Sequence, residues 1–246
     1  MTTKKLILSL LALLAPIAAG AQEPYAVLSK NNTVLTFYYD DQKASRNGMD
    51  VGPFNGYPDD YPSWYDQRGS ITSVVFDASF TSCTTLTSTA WWFFDLRNLS
   101  SITGISNLKT DNVTNMYYMF SHCRSLTSLD VSGFMTDNVI DMGGMFYGCS
   151  GLTTIYAGEG WSTAKVMDSR DMFEGCTGLV GGAGTKFDAC NIDHTYARID
   201  GGSDNPGYFT RKAGDTGEWA EGDLNHDGKL DAADIVHLTN LILNQK

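Results

Sequence analysis

The sequence predicts an α+β fold: a solenoid of short tandem repeats, closed at its N-terminal end by a β-rich cap and followed by a small oxygen-rich loop with its own helix. Three observations predict it. A Met-Phe pair recurs at nearly constant spacing in the middle of the chain, a hairpin pattern precedes that array, and the composition turns polar after Phe209. The 246 residues are 42% hydrophobic and 12% aromatic, enough to bury a sizeable core and too apolar for a disordered chain.

Residues 1–21 read as a secretory signal. Lys4 and Lys5 precede the apolar run Leu6–Leu14, then Pro16 and the small-residue stretch Ala18-Ala19-Gly20-Ala21. The run is shorter than the ~20 residues a helix needs to cross a bilayer, and no later stretch is long and apolar enough to do so. The expected address is therefore export, to the medium, the cell surface or the periplasm, with no transmembrane span. Removing residues 1–21, which hold two lysines and no acid, leaves 15 basic against 28 acidic residues, a formal charge of −13. Such a chain is repelled by phosphate backbones, which excludes nucleic acid as a partner.

Residues 22–93 read as the cap. Tyr25–Ser29 and Thr33–Tyr39 flank a turn at Lys30-Asn31-Asn32, the pattern of a β-hairpin. An aromatic-rich stretch follows: Phe54, Tyr57, Tyr61, Trp64 and Tyr65, then Trp91, Trp92, Phe93 and Phe94. Two readings are open for it. The rings are the core of the cap, or some of them form a stacking surface for sugars or a protein partner, with Asp59, Asp60 and Asp66 beside them for hydroxyl groups.

Residues 94–210 carry the array. Phe120, Phe146 and Phe173 stand 26 and 27 residues apart. Met119, Met145 and Met172 precede them by one residue, and Cys123, Cys149 and Cys176 follow by three. Val113, Val139 and Val166 lie seven earlier, and Leu126, Leu152 and Leu179 follow the cysteines. Phe80, Cys83 and Leu86 echo the pattern once outside the period. Matched columns of this kind mark tandem repeats. Val139, Met142, Met145 and Phe146 have the spacing of a short helix, for which Thr136 or Asp137 could be the cap. Leu126, Leu129 and Val131 have a Leu-x-x-Leu-x-Leu spacing, in which Leu129 and Val131 alternate inward on a short strand. Stacked copies would lay these strands in register about 4.8 Å apart. The cysteine column fits free, buried packing residues better than disulfides, because parallel side chains in a ladder are poorly aimed for pairing. Cys190 has no assigned role.

The segment from Met119-Phe120 through Cys123, Ser125-Leu126 and Leu129-Asp130-Val131-Ser132-Gly133-Phe134 to Asn138-Val139 and Asp141-Met142 resembles the BspA-like leucine-rich repeats of bacterial surface proteins. Cys176 to Thr185 and Tyr196 to Gly202 are similar to that family too. The resemblance implies a leucine-rich-repeat solenoid without enzymatic activity, associated with adhesion and binding.

Residues 211–222 read as a polar linker, and 223–246 as a calcium module. Asp223, Asn225, Asp227, Asp231 and Asp234 occupy positions 1, 3, 5, 9 and 12 of an EF-hand spacing, with Gly228 at position 6 and the carbonyl of Lys229 at position 7. These six residues are the expected Ca²⁺ ligands. Ile235, Val236, Leu238, Leu241 and Ile242 follow at helical spacing. Loop and helix together resemble one type I dockerin repeat, a family whose paired repeats bind cohesin domains on polysaccharide-degrading scaffolds. Only one repeat is present, and its recognition pair would be Ala232-Ala233. The resemblance thus implies calcium binding, and a cohesin-like partner would meet half of the usual surface.

No GxSxG, Walker A, HExxH or dinucleotide-binding fingerprint occurs, and the four histidines are scattered. The expected function is non-enzymatic: binding or adhesion to a protein or glycan ligand of unknown identity. The alternative is a component of polysaccharide catabolism, recruited by the tail or itself a glycoside hydrolase with a spatial pair of carboxyl groups.

Overall fold

A computed structural model describes residues 20–57 and 59–212. The expected α+β leucine-rich-repeat solenoid is overturned. Among the described residues no α-helix forms, and the regular elements are seven short strands and five single 3-10 turns. The fold is a mixed β architecture in which long stretches of the repeats are turns.

The hairpin forms between β1 (Glu23–Ser29) and β2 (Val34–Asp40), which pair antiparallel. Its turn places Lys30, Asn31 and Asn32 at φ 51°, 57° and 64°, the left-handed region that asparagine tolerates better than most residues. β3 (Ser73–Phe76) and β4 (Ser101–Thr103) extend this sheet in parallel, giving the order β1-β2-β3-β4. A second, parallel sheet contains β5 (Ser128–Asp130), β6 (Thr154–Ala157) and β7 (Phe209–Arg211). Leu129 pairs with Ile155, and Ile155 with Phe209. β4 and β5 belong to different sheets, and a gap of about 270 Å³ lies where they part, lined in part by Ile102, Ile105, Leu126 and Leu129.

The apolar spacing that predicts a helix over Val139–Phe146 belongs instead to a coil of turns. Alternate N–H groups donate to the next copy of the repeat: Met116 to Asp141, Tyr118 to Gly143, Phe120 to Met145 and His122 to Tyr147. The intervening groups close local turns, Met119 to Met116, Ser121 to Tyr118 and Cys123 to Phe120. Met142, Gly144, Phe146 and Gly148 repeat the outward pattern toward Asp168, Arg170, Met172 and Glu174. An α-helix needs an unbroken right-handed backbone, yet two positions four apart in every copy have positive φ: Trp91 and Asp95, Tyr118 and His122, Gly144 and Gly148, Asp171 and Gly175. Each non-glycine residue held there costs roughly 1–2 kcal/mol, which the hydrogen bonds between copies help to offset. Thr136 caps no helix. Its hydroxyl donates to the carbonyl of Ser162 at 2.7 Å and accepts from the Ser162 N–H at 2.6 Å, tying two copies together.

The copies are laid side by side in register. Phe93, Phe120, Phe146 and Phe173 are fully buried, with successive ring centroids 5.3, 5.9 and 5.5 Å apart. Met116 and Met142, and Met119, Met145 and Met172, fill the columns beside them. One apolar cluster runs from Ala26 in the hairpin to Phe209 in β7. All five cysteines are free, and only Cys190 is exposed. In the column each thiol donates to the carbonyl of the preceding copy's phenylalanine: Cys123 to Phe93, Cys149 to Phe120 and Cys176 to Phe146, at 3.2, 3.0 and 3.0 Å.

Large and small residues interlock between copies. The rings of Tyr117, Tyr118 and His122 lie over Gly143, Gly144 and Gly148 of the next copy. Gly144→Ala should therefore lower stability by about 2–3 kcal/mol, since its φ is +57° and a Cβ there would run into the Tyr118 ring. Urea denaturation measures the loss, and a change below ~0.5 kcal/mol would contradict this packing.

Candidate functional site

The predicted calcium ligands Asp223, Asn225, Asp227, Lys229, Asp231 and Asp234 lie outside the described residues, as do the signal sequence up to residue 19 and the linker beyond Lys212. Among the described residues no group of three or more His, Cys, Asp or Glu side chains could hold a metal ion, and no helix is long and apolar enough to cross a membrane.

The aromatic-rich stretch divides in two. Trp64, Trp92 and Phe93 are core: Trp64 Nε1 donates to the Trp92 carbonyl at 2.8 Å, and Trp92 Nε1 to the Val51 carbonyl at 2.9 Å. The others form a surface band that crosses successive copies. Tyr61 stacks on Tyr65 at 4.5 Å and on Phe94 at 6.1 Å. Phe94 meets Tyr118 at 5.8 Å, and Tyr118 meets Tyr147 at 6.3 Å. All five rings are partly exposed, and Tyr57 stands out of the same cap at 81% exposure. Trp91 lies behind the band, 4.7 Å from Phe94, and is 9% exposed. Chain position places Tyr61 and Tyr65 in the cap loops, whereas the repeat places Phe94, Tyr118 and Tyr147 on one side of consecutive coils.

Charge borders the band. Arg68 sits 4.1 Å above the Tyr65 ring and donates to Asp95, which Arg97 also contacts at 2.6 Å. Burial alone would raise the Asp95 pKa, but the hydrogen bonds and charges of Arg97 and Arg68 outweigh it and lower it. Burial, helped by Arg124, lowers the pKa of His122. Three buried polar atoms, Trp91 Nε1, Ser121 Oγ and His122 Nδ1, find no hydrogen-bond partner among the described residues. Each such atom costs about 1–3 kcal/mol, and all three belong to this region.

A second concave feature lies at the other end of the array. Gly158, Glu159, Trp161, Thr163, Arg198 and Asn205 are among the residues lining an open cleft of about 520 Å³, with Arg211 and Asp200 at its walls. Sequence reasoning missed it. No repeat spacing betrays it: Phe93, Phe120, Phe146 and Phe173 stand 27, 26 and 27 residues apart, so the interval before Phe173 is no departure.

Neither region assembles catalytic groups. Cys123 is fully buried, and burial pushes its thiol pKa up well above the ordinary value, so it is no nucleophile. Burial would raise the Asp200 pKa, but hydrogen bonds from the Thr185 N–H and hydroxyl and from the Gly202 and Ala183 N–H groups bring it down to about 2. Burial raises the pKa of Asp141, with Asp168 adding to it. Its carboxylate, however, accepts from the Gly143 N–H as Asn115 does from Tyr117, a turn-closing role common to the repeats.

No curated protein and no solved structure matches the chain. Residues 80–185, which carry the echo and the three regular copies, match the family described as Mycoplasma protein of unknown function, DUF285.

Proposed function

We propose that this chain is an exported, non-enzymatic binding or adhesion protein whose contact surface is the aromatic band, and whose tail binds calcium. The observation that carries the reading is the band itself: Tyr61, Tyr65, Phe94, Tyr118 and Tyr147 form a run of partly exposed rings across the cap and consecutive copies. Exposed rings edged by Arg68, Asp95 and Arg97 offer a partner apolar faces and oriented polar groups together. The resemblance to BspA-like surface proteins favours the same reading. The oxygen spacing at 223–234 favours calcium in the tail, and recruitment to a polysaccharide-degrading assembly is the role a dockerin-like tail would add.

The mature chain should bind at least one component of a glycan and matrix-protein array, scored with and without calcium. Tyr61→Ser with Tyr65→Ser should weaken that binding at least tenfold while leaving the thermal midpoint nearly unchanged. Undiminished binding by this variant would sink the contact surface. For the tail, calorimetry in millimolar calcium should show binding heat that Asp223→Ala with Asp234→Ala removes.

A further inference from the structure

We propose that the cleft beside Trp161 is a second ligand site, a subsite for an uncharged saccharide that is separate from the aromatic band. Its volume of about 520 Å³ lies within the ~300–1,000 Å³ of small-ligand sites. The cleft is a local departure from the repeat. Where Phe134 is 1% exposed in the copy before, Trp161 is only partly buried and lines the opening.

The ring is held before any ligand arrives. Trp161 Nε1 donates to the Ala197 carbonyl at 2.9 Å, and the indole stands edge-to-face on Phe209 at 4.9 Å. A pre-fixed ring loses little conformational freedom when something stacks on it. The polar groups around it are already engaged. Glu159 pairs with Arg211, Arg198 Nη1 donates to the neutral Asn205 Oδ1 at 2.9 Å, and Asp200 is occupied by the backbone and Thr185. A charged ligand would have to compete with a partner inside the cleft. A hydroxyl group both donates and accepts, so it can join Glu159 and Arg211, or Arg198 and Asn205, without adding charge. A sugar ring supplies such hydroxyls at its rim and a C–H face for the indole. Asp200, held near pKa 2 by its hydrogen bonds, is a poor general acid.

The test is calorimetry of the mature full chain with neutral gluco-, xylo-, manno- and N-acetylglucosamine oligosaccharides, and with galacturonate oligomers as the anionic arm. At least one neutral oligosaccharide should bind, Trp161→Ala should weaken it at least tenfold, and Tyr61→Ser with Tyr65→Ser should leave it unchanged. Because Trp161 also packs on Phe209, Asn205→Ala and Arg211→Ala at exposed positions provide a second reading, each weakening binding several-fold at unchanged thermal midpoint. Binding by the galacturonate arm alone, no binding by any neutral oligosaccharide, or binding that survives all three cleft substitutions would overturn the proposal. Binding that survives them and is lost in the Tyr61/Tyr65 variant overturns the cleft while leaving the aromatic band in place.

Discussion

Phe146→Ala should destabilise the protein by about 3–5 kcal/mol, as expected for a large ring removed from a packed interior. Phe146 is fully buried and stacks between Phe120 and Phe173 at 5.9 and 5.5 Å, with Phe209 against its edge. Its backbone ties its copy to the next as well, since its N–H donates to the Met172 carbonyl and its carbonyl accepts the Cys176 thiol. The hole left by the ring would have walls fixed by hydrogen bonds between copies, so it could not collapse easily. Chemical denaturation with two spectroscopic probes gives the loss directly. A value under ~1 kcal/mol would mean the ring contributes little to the interior. Total stabilities are only about 5–15 kcal/mol, so this one change should remove a large share.

Asp200→Ala should come next, at about 3 kcal/mol. The carboxylate collects N–H groups from Ala183, Thr185 and Gly202 and the Thr185 hydroxyl, and so closes the glycine-rich turn at 181–185 onto the segment before β7. Alanine would strand those donors, at about 1–3 kcal/mol for each one that water cannot reach. The same group gives a pH dependence. Its folded pKa, about 2, lies below the ~3.9 of an unfolded aspartate, so its stabilisation is present above pH ~4 and is lost as pH falls through 2. Thermal midpoints measured from pH 5 to pH 2 should fall for the native chain and fall less for Asp200→Asn. Parallel curves for the two would refute the hub.

The repeat was legible because its columns are chemically alike. Phe, Met and Cys recur at fixed offsets, and each turned out to be an interior position. The backbone was not legible from the same residues. An i, i+3, i+7 apolar pattern serves a helix and a coil of turns equally. The discriminating signal, glycine at the positive-φ positions 144 and 148, is hidden one copy earlier by Tyr118 and His122. The rings of those two residues cover the glycines of the next copy, a relation between copies that no single repeat displays. The aromatic stretch was read as core or as surface, and the structure divides it by residue, with Trp64 and Trp92 inside and Tyr61 and Tyr65 outside. The cleft was illegible for a different reason. Nothing in the period marks it, and its walls include Ala197–Gly201 and Asn205, some forty residues on from Trp161.

The sulfur–carbonyl contacts along the array also decide how this chain would meet oxidants. Every thiol in that column is shielded from solvent and has its hydrogen engaged by a backbone oxygen. Cys83 is likewise enclosed. Air, peroxide or an alkylating reagent would find a single approachable thiol, Cys190. Any covalent dimer of the native protein would have to be joined through that residue, and its replacement by serine would leave a chain inert to thiol chemistry until it unfolds.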